Sequence, residues 1–250
     1  MAQIIKIEDY ISRYEIDVTR YTNQFIRFKK RQWEQLKEEE PSQISDKKQP
    51  FLDHIFQHQL IWASSTVRSC SYLDKKYEQD TMLKHLAQSL PDQYLILYYP
   101  VFSIKKAPIE ADVVIICPNE ILCLSIITGE KEEVVMASEG RFWVRRGQEG
   151  EKKMVNPLPS LNRTVNIVQR IVKECEVELP IRPFIISRMG YIHAPELPRQ
   201  CRTVDKRSYR EWIEKLQQNP SPIKHQQLKM AKMLLSITLT NSYDRFEFDM

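Results

Sequence analysis

Asp112 opens the aliphatic run Val113–Ile116, and Glu110 stands two residues before it. An acid at the mouth of an apolar strand is placed there either by chemistry or by solubility. On a regular strand, residues two apart share a face, so Glu110 and Asp112 are expected side by side. Glu130 follows the next apolar run, Ile121–Ile127, with Lys105, Lys106 and Lys131 nearby. One expectation for these acids is a place in a chemical site; the other is solvated charge at strand ends. A second group is cationic: Arg141, Arg145, Arg146, Lys152, Lys153, Arg163 and Arg170, with Phe142 and Trp143 among them. These could bind phosphates while Trp143 stacks on a base. The competing reading is a solvated hairpin whose aromatics pack inward and whose charge is diluted by Glu149 and Glu151. His54 and His58 stand one helical turn apart beside Asp53 with no third ligand evident, so they read as surface histidines.

Composition narrows the chemistry. Five Gly against fourteen Pro in 250 residues, with no GxGxxG or GxxxxGK[ST], disfavours phosphate loops of the nucleotide-binding folds. A net charge of +4 permits nucleic acid as a partner without requiring it. The five cysteines lack CxxC or zinc-type spacing and read as reduced thiols. No apolar run approaches the roughly 18 residues that span a bilayer, and the opening MAQIIKIEDY has no apolar leader core, so no membrane role and a cytoplasmic location are expected.

The elements that must position these groups follow from periodicity. From Glu8 to Glu40, Ile11, Tyr14, Val18, Tyr21, Phe25 and Phe28 step by three and four, as in a helix with a heptad-like seam. A connector is expected from Glu38 to Pro50, then a second helix from Phe51 to Tyr77 that pairs with the first as a hairpin. Such a hairpin is a structural arm, a homodimer contact or a surface for a protein partner. A short helix, Asp80–Leu90, precedes Tyr94–Glu130, which reads as a three-stranded meander with buried central strands. Strands at Val134–Met136 and Arg141–Val144 with a polar excursion form a hairpin or flap. A helix at Asn162–Glu174, a strand at Arg182–Ser187, and helices at Tyr209–Gln218 and His225–Ile237 complete the chain. The expected division is an arm at 1–76, a core at 77–192 and covering helices at 193–250.

The order helix, three strands, hairpin, helix, strand, with an acid opening the second strand, resembles the PD-(D/E)xK nuclease core and, within it, the nuclease-related domain (NERD) family, over Glu78 to about Ile192. IEADVVII supplies Asp112, Phe142-Trp143 resembles the family's aromatic hairpin, and Asn156-Pro157-Leu158 matches its NPL segment. The helix acid corresponds to Glu78 or Asp80. The resemblance implies an α/β fold with a mixed sheet, a Mg2+-dependent phosphodiesterase and DNA as partner. This chain departs where the E-x-K pair should stand: Ser125, Ile126 and Ile127 fill those positions, and Ser160 replaces the glutamine after NPL. The expectation is a pseudo-nuclease that acts, if at all, by binding nucleic acid. The alternatives are an active enzyme rebuilt around Asp112 with Glu110 or Glu130, holding Mg2+ on Asp112 as the resemblance implies, and an interaction module that uses only the helical hairpin.

Overall fold

The computed structural model describes residues 1–39, 44–195, 197–198, 200–218 and 221–244. The chain opens with β1 (Gln3–Ile7), α1 (Arg13–Ile16), α2 (Val18–Glu39) and α3 (Ile44–Trp62). Then come β2 (Ser69–Cys70), a 3-10 turn at Lys75–Tyr77 and α4 (Thr81–Ser89). Five strands follow: β3 (Leu95–Tyr98), β4 (Val101–Ile104), β5 (Ala107–Glu110), β6 (Val113–Ile116) and β7 (Ile121–Ile126). The second half holds β8 (Val134–Met136), β9 (Phe142–Gly147), β10 (Gly150–Val155), α5 (Leu158–Glu174), β11 (Ile181–Ile186), β12 (Tyr191–His193), β13 (Arg202–Val204), α6 (Tyr209–Gln217), α7 (His225–Ser236) and β14 (Tyr243–Asp244).

The class is mixed α/β. Six strands form the central sheet in the order β1-β3-β6-β7-β11-β13. β3, β6 and β7 pair antiparallel, whereas β1 joins β3, and β11 joins both β7 and β13, in parallel. Alternation sends Ile96, Val113, Ile115, Leu122 and Leu124 to one face, where α3, α4 and α6 cover them. Leu95, Leu97, Val114, Ile116, Ile121 and Cys123 face α5 and α7 on the other side. Both faces are buried, which is why these strands read as nearly continuous apolar runs. A second, four-stranded sheet, β10-β9-β8-β12, carries the polar hairpin.

Several elements differ from the periodicity reading. The meander is present as β3-β6-β7, but the connection between its first two strands folds into the hairpin β4–β5. Its two-residue loop, Lys105-Lys106, has φ of 51° and 66°, a geometry that Asn-Gly usually signals. β1 was missed because its period is masked by Lys6, which lies fully buried and bonds Glu15 and, at 3.1 Å, Thr240. α3 starts before Pro50, inside the expected connector; burial of Phe51, Ile55, Phe56 and Leu60 offsets the roughly 3 kcal/mol a helical proline costs. Part of that connector, residues 40–43, lies outside the described residues.

The second helix also stops at Trp62 rather than Tyr77. Ser64 and Ser65 hydroxyls donate back to Leu60 O and Ile61 O at 2.8 and 2.7 Å, and Thr66 Oγ1 accepts from Ser69 N at 3.0 Å. Such local bonds compete with helical continuation. Against α2, Trp33 meets Phe51 at 4.8 Å, Phe28 meets His58 at 5.0 Å and Tyr21 meets Trp62 at 5.9 Å, so α2 and α3 run antiparallel.

Candidate functional site

Asp112 precedes β6 and is 7% exposed. β6 pairs with β7 through Val113 and Leu124, which sets Ser125 beside Asp112 across the ladder. α5 supplies the third side: Ser160, Arg163 and Thr164 share one face by their i, i+3, i+4 spacing. Thr164 Oγ1 accepts from Asp112 N at 2.8 Å; its one proton faces both Asp112 Oδ2 at 3.3 Å and Ser160 O at 3.2 Å. Burial pushes the Asp112 carboxyl above its ordinary range, opposed by hydrogen bonds from Ser160, Ser125 and Thr164 and by the Arg163 charge.

The start of α5 explains the NPL segment. Asn156 Oδ1 accepts from Leu158 N at 2.9 Å while Nδ2 donates to Gly140 O at 2.9 Å. The residue therefore fastens the helix start to the β8–β9 connection, and so holds Ser160 and Thr164 against Asp112.

Asp112 opens onto a cavity of about 510 Å³ lined also by Glu8, Asp9, Tyr99, Glu110, Ser160 and Arg163. Glu110 reaches this cavity, but not along one regular strand with Asp112. It ends β5 in the small hairpin, and the strand breaks at Ala111 before β6 begins. Glu8 and Tyr99, at φ 41° and 48°, lie in the left-handed region, and both border the cavity. Non-glycine residues held there collect at functional sites. Sequence reasoning missed Glu8, Asp9, Tyr99 and Thr164; Thr164 lies 52 residues from Asp112, and no local pattern joins them.

The other acids do not meet Asp112. Glu130 is absent from the cavity lining; its carboxylate lies beside Gly147 on the polar hairpin, because β7 ends at Ile126 and the chain turns away. Asp80 caps α4, accepting from Met82 N and Leu83 N at 2.9 Å, and takes the Tyr98 hydroxyl at 2.7 Å. Glu78 is exposed at the end of the 3-10 turn. Among the described residues, no three or more His, Cys, Asp or Glu side chains are grouped so as to hold a metal ion.

The cationic group is divided. Trp143 is fully buried and donates from Nε1 to Ser138 O at 2.9 Å, so it faces the core and is not presented for base stacking. Arg146 pairs with Glu151 at 2.7 Å and Lys152 with Glu149 at 2.6 Å. Arg145 donates to Thr128 O at 2.5 Å and lies 3.9 Å from Glu133. Arg141 lies over the Phe142 ring, Lys153 is exposed on β10, and Arg163 donates to Ser160 Oγ at 3.2 Å.

A mixed sheet covered by helices on both faces, with a buried acid opening an inner strand opposite a helix start, defines an α/β domain with a polar site at its strand ends. Residues 74–187 match the family model described as the nuclease-related domain, and that segment is a nuclease-related domain of the PD-(D/E)xK-like superfamily. A curated protein from Geobacillus stearothermophilus, "RNA 2',3'-cyclic phosphodiesterase", is 60% identical over 37 residues, which is 15% of this chain and 12% of that protein. No solved structure matches the chain. No helix among the described residues is long and apolar enough to cross a membrane.

Proposed function

We propose that this is a nuclease-related protein with a degenerate PD-(D/E)xK site, of low or absent hydrolytic activity, which acts by associating with nucleic acid. The donor set around Asp112 carries the reading. One carboxylate is held by hydroxyls of Ser125, Ser160 and Thr164, and the positions that the family fills with E-x-K hold Ser125 and Ile127, both buried. A divalent ion takes six or more hard oxygens and depends on carboxylate charge, which hydroxyls do not supply. Burial that raises the Asp112 carboxyl further opposes the ionised form a metal needs. Ile127 has no proton to give and no donor for a phosphate oxygen. These residues do not fit a resident Mg2+, and no hydrolytic step is derived through one.

The cavity favours one alternative, an active nuclease rebuilt around Asp112, since Glu8, Asp9 and Glu110 also line it. Calorimetry with Mg2+ and Mn2+ on the wild type and Asp112→Asn, beside a cleavage assay on labelled DNA and RNA duplexes, separates the two. The proposal expects no metal heat and no cleavage from either protein. Cleavage that requires Mg2+ and vanishes in Asp112→Asn would overturn it.

A further inference from the structure

We infer that the solvent face of α2 is a docking surface for the phosphate backbone of a nucleic-acid duplex. This rests on the nucleic-acid half of the proposal above and not on the state of the Asp112 site. Between Val18 and Trp33 the chain carries five cations, Arg20, Arg27, Lys29, Lys30 and Arg31, and no acid, whereas the whole chain has a net charge of only +4. Lys29 turns inward to pair with Asp92, and the other four are exposed. At about 100° per residue, Arg20, Arg27 and Arg31 fall within roughly 40° of one another, with Lys30 to one side. The stripe from Arg20 to Arg31 is roughly 16 Å long, about five phosphate steps along one strand.

Its charge is also free to act. Among the described residues, Arg20, Arg27 and Arg31 make no ion pair, and Lys30 meets only Glu34, at 3.8 Å with both side chains mostly in solvent. On the β9–β10 hairpin, by contrast, Arg146 and Lys152 are neutralised by adjacent glutamates. Charge held against a carboxylate attracts a phosphate less, because binding must first break that pair. The stripe is rigidly mounted as well, since Phe25, Phe28 and Trp33 on the opposite side of α2 pack against Trp62, His58 and Phe51. That packing argues against an acidic membrane as the occupant. A membrane-surface helix inserts an apolar face, and here the apolar face is spent on α3 while the outer stripe carries only polar side chains.

The test is fluorescence anisotropy with a labelled 20-base-pair DNA duplex, taken over a series of salt concentrations on the full chain. The variants are Arg20→Gln/Arg27→Gln/Arg31→Gln, a charge-keeping Arg20→Lys/Arg27→Lys/Arg31→Lys, and a hairpin control at the neutralised cations, Arg146→Gln/Lys152→Gln. Losing three phosphate contacts flattens the slope of log K against log salt by about 2.7 and lowers affinity at low salt by about tenfold or more. The lysine variant and the hairpin control are expected to stay within about twofold of wild type, because phosphate neutralisation needs charge rather than the guanidinium fork. Loss in the hairpin control with none in the glutamine variant would overturn the α2 assignment and leave nucleic-acid binding intact. Equal loss in the lysine and glutamine variants would overturn it too, by showing that charge is not what binds. A wild type that ignores the duplex would sink the nucleic-acid reading itself, and one that instead binds phosphatidylserine vesicles would assign the stripe to a membrane.

Discussion

Replacing Trp143 by alanine separates a core tryptophan from a base-stacking one. The side chain is fully buried, shares a core with Val135, Leu161 and Ile192, and donates to Ser138 O at 2.9 Å. Removing a buried tryptophan costs about 3–5 kcal/mol, a large part of the 5–15 kcal/mol that holds a typical fold together. At about 2–4 °C per kcal/mol for a chain of this size, the Tm should fall by roughly 6–20 °C. Trp143→Phe keeps most of the volume and loses the donor. Because Ser138 is exposed and its carbonyl can turn to water, the phenylalanine variant should lose only about 1 kcal/mol for that bond. Urea and thermal unfolding measure both variants, and duplex anisotropy well below the lower Tm should change by less than about twofold, since a buried ring touches no base. An alanine variant within about 1 kcal/mol of wild type that nevertheless loses nucleic-acid affinity tenfold would refute the buried assignment.

Two further outcomes test the site. A carboxyl whose pKa is raised on folding leaves stability intact below its unfolded pKa and removes it as pH rises through the folded value, so Asp112 weakens the fold at neutral pH. Urea unfolding of Asp112→Asn should therefore improve relative to wild type between pH 3 and pH 7; a constant difference would show that the carboxyl is not perturbed. Asn156→Ala removes both the bond to Leu158 N and the bond to Gly140 O, and should cost about 1–3 kcal/mol. Asn156→Asp keeps the acceptor alone and should recover part of the loss, read by the same unfolding curves.

What the sequence made legible was whatever repeats locally. Val113–Ile116 and Ile121–Ile126 are nearly continuous apolar runs, and both are inner strands. Asp112 could be singled out because it opens an apolar strand, and Ser125 and Ser160 because the family resemblance sets the E-x-K pair and the glutamine after NPL at their positions. Glu8, Asp9, Tyr99 and Thr164 could not, since they reach the cavity from separate elements that only the tertiary fold brings together. The β4–β5 turn stayed hidden because Lys105-Lys106 adopts left-handed backbone without the usual residues. Trp143 shows a different limit: a tryptophan amid arginines looks like a binding platform, but its ring packs with Val135, Leu161 and Ile192, while Arg145, two residues on along the same strand face, is only half-buried and Arg146 is exposed.

β3, β6, β7 and β11 all fall within residues 74–187, while both rims of the large sheet, β1 and β13, come from outside that span. During synthesis β1 is made before β3 and must remain unpaired while the 89 residues separating Gln3 from Asp92, and then β3 itself, are made. At about 5–20 residues per second, covering those residues takes roughly 4–18 s. β7 and β11 wait in turn for β11 and β13, so during synthesis successive inner strands carry an open, apolar margin that invites pairing with another chain. A fragment trimmed to the nuclease-related segment would keep both margins open permanently, and aggregation rather than an independent folding unit is what such trimming should yield.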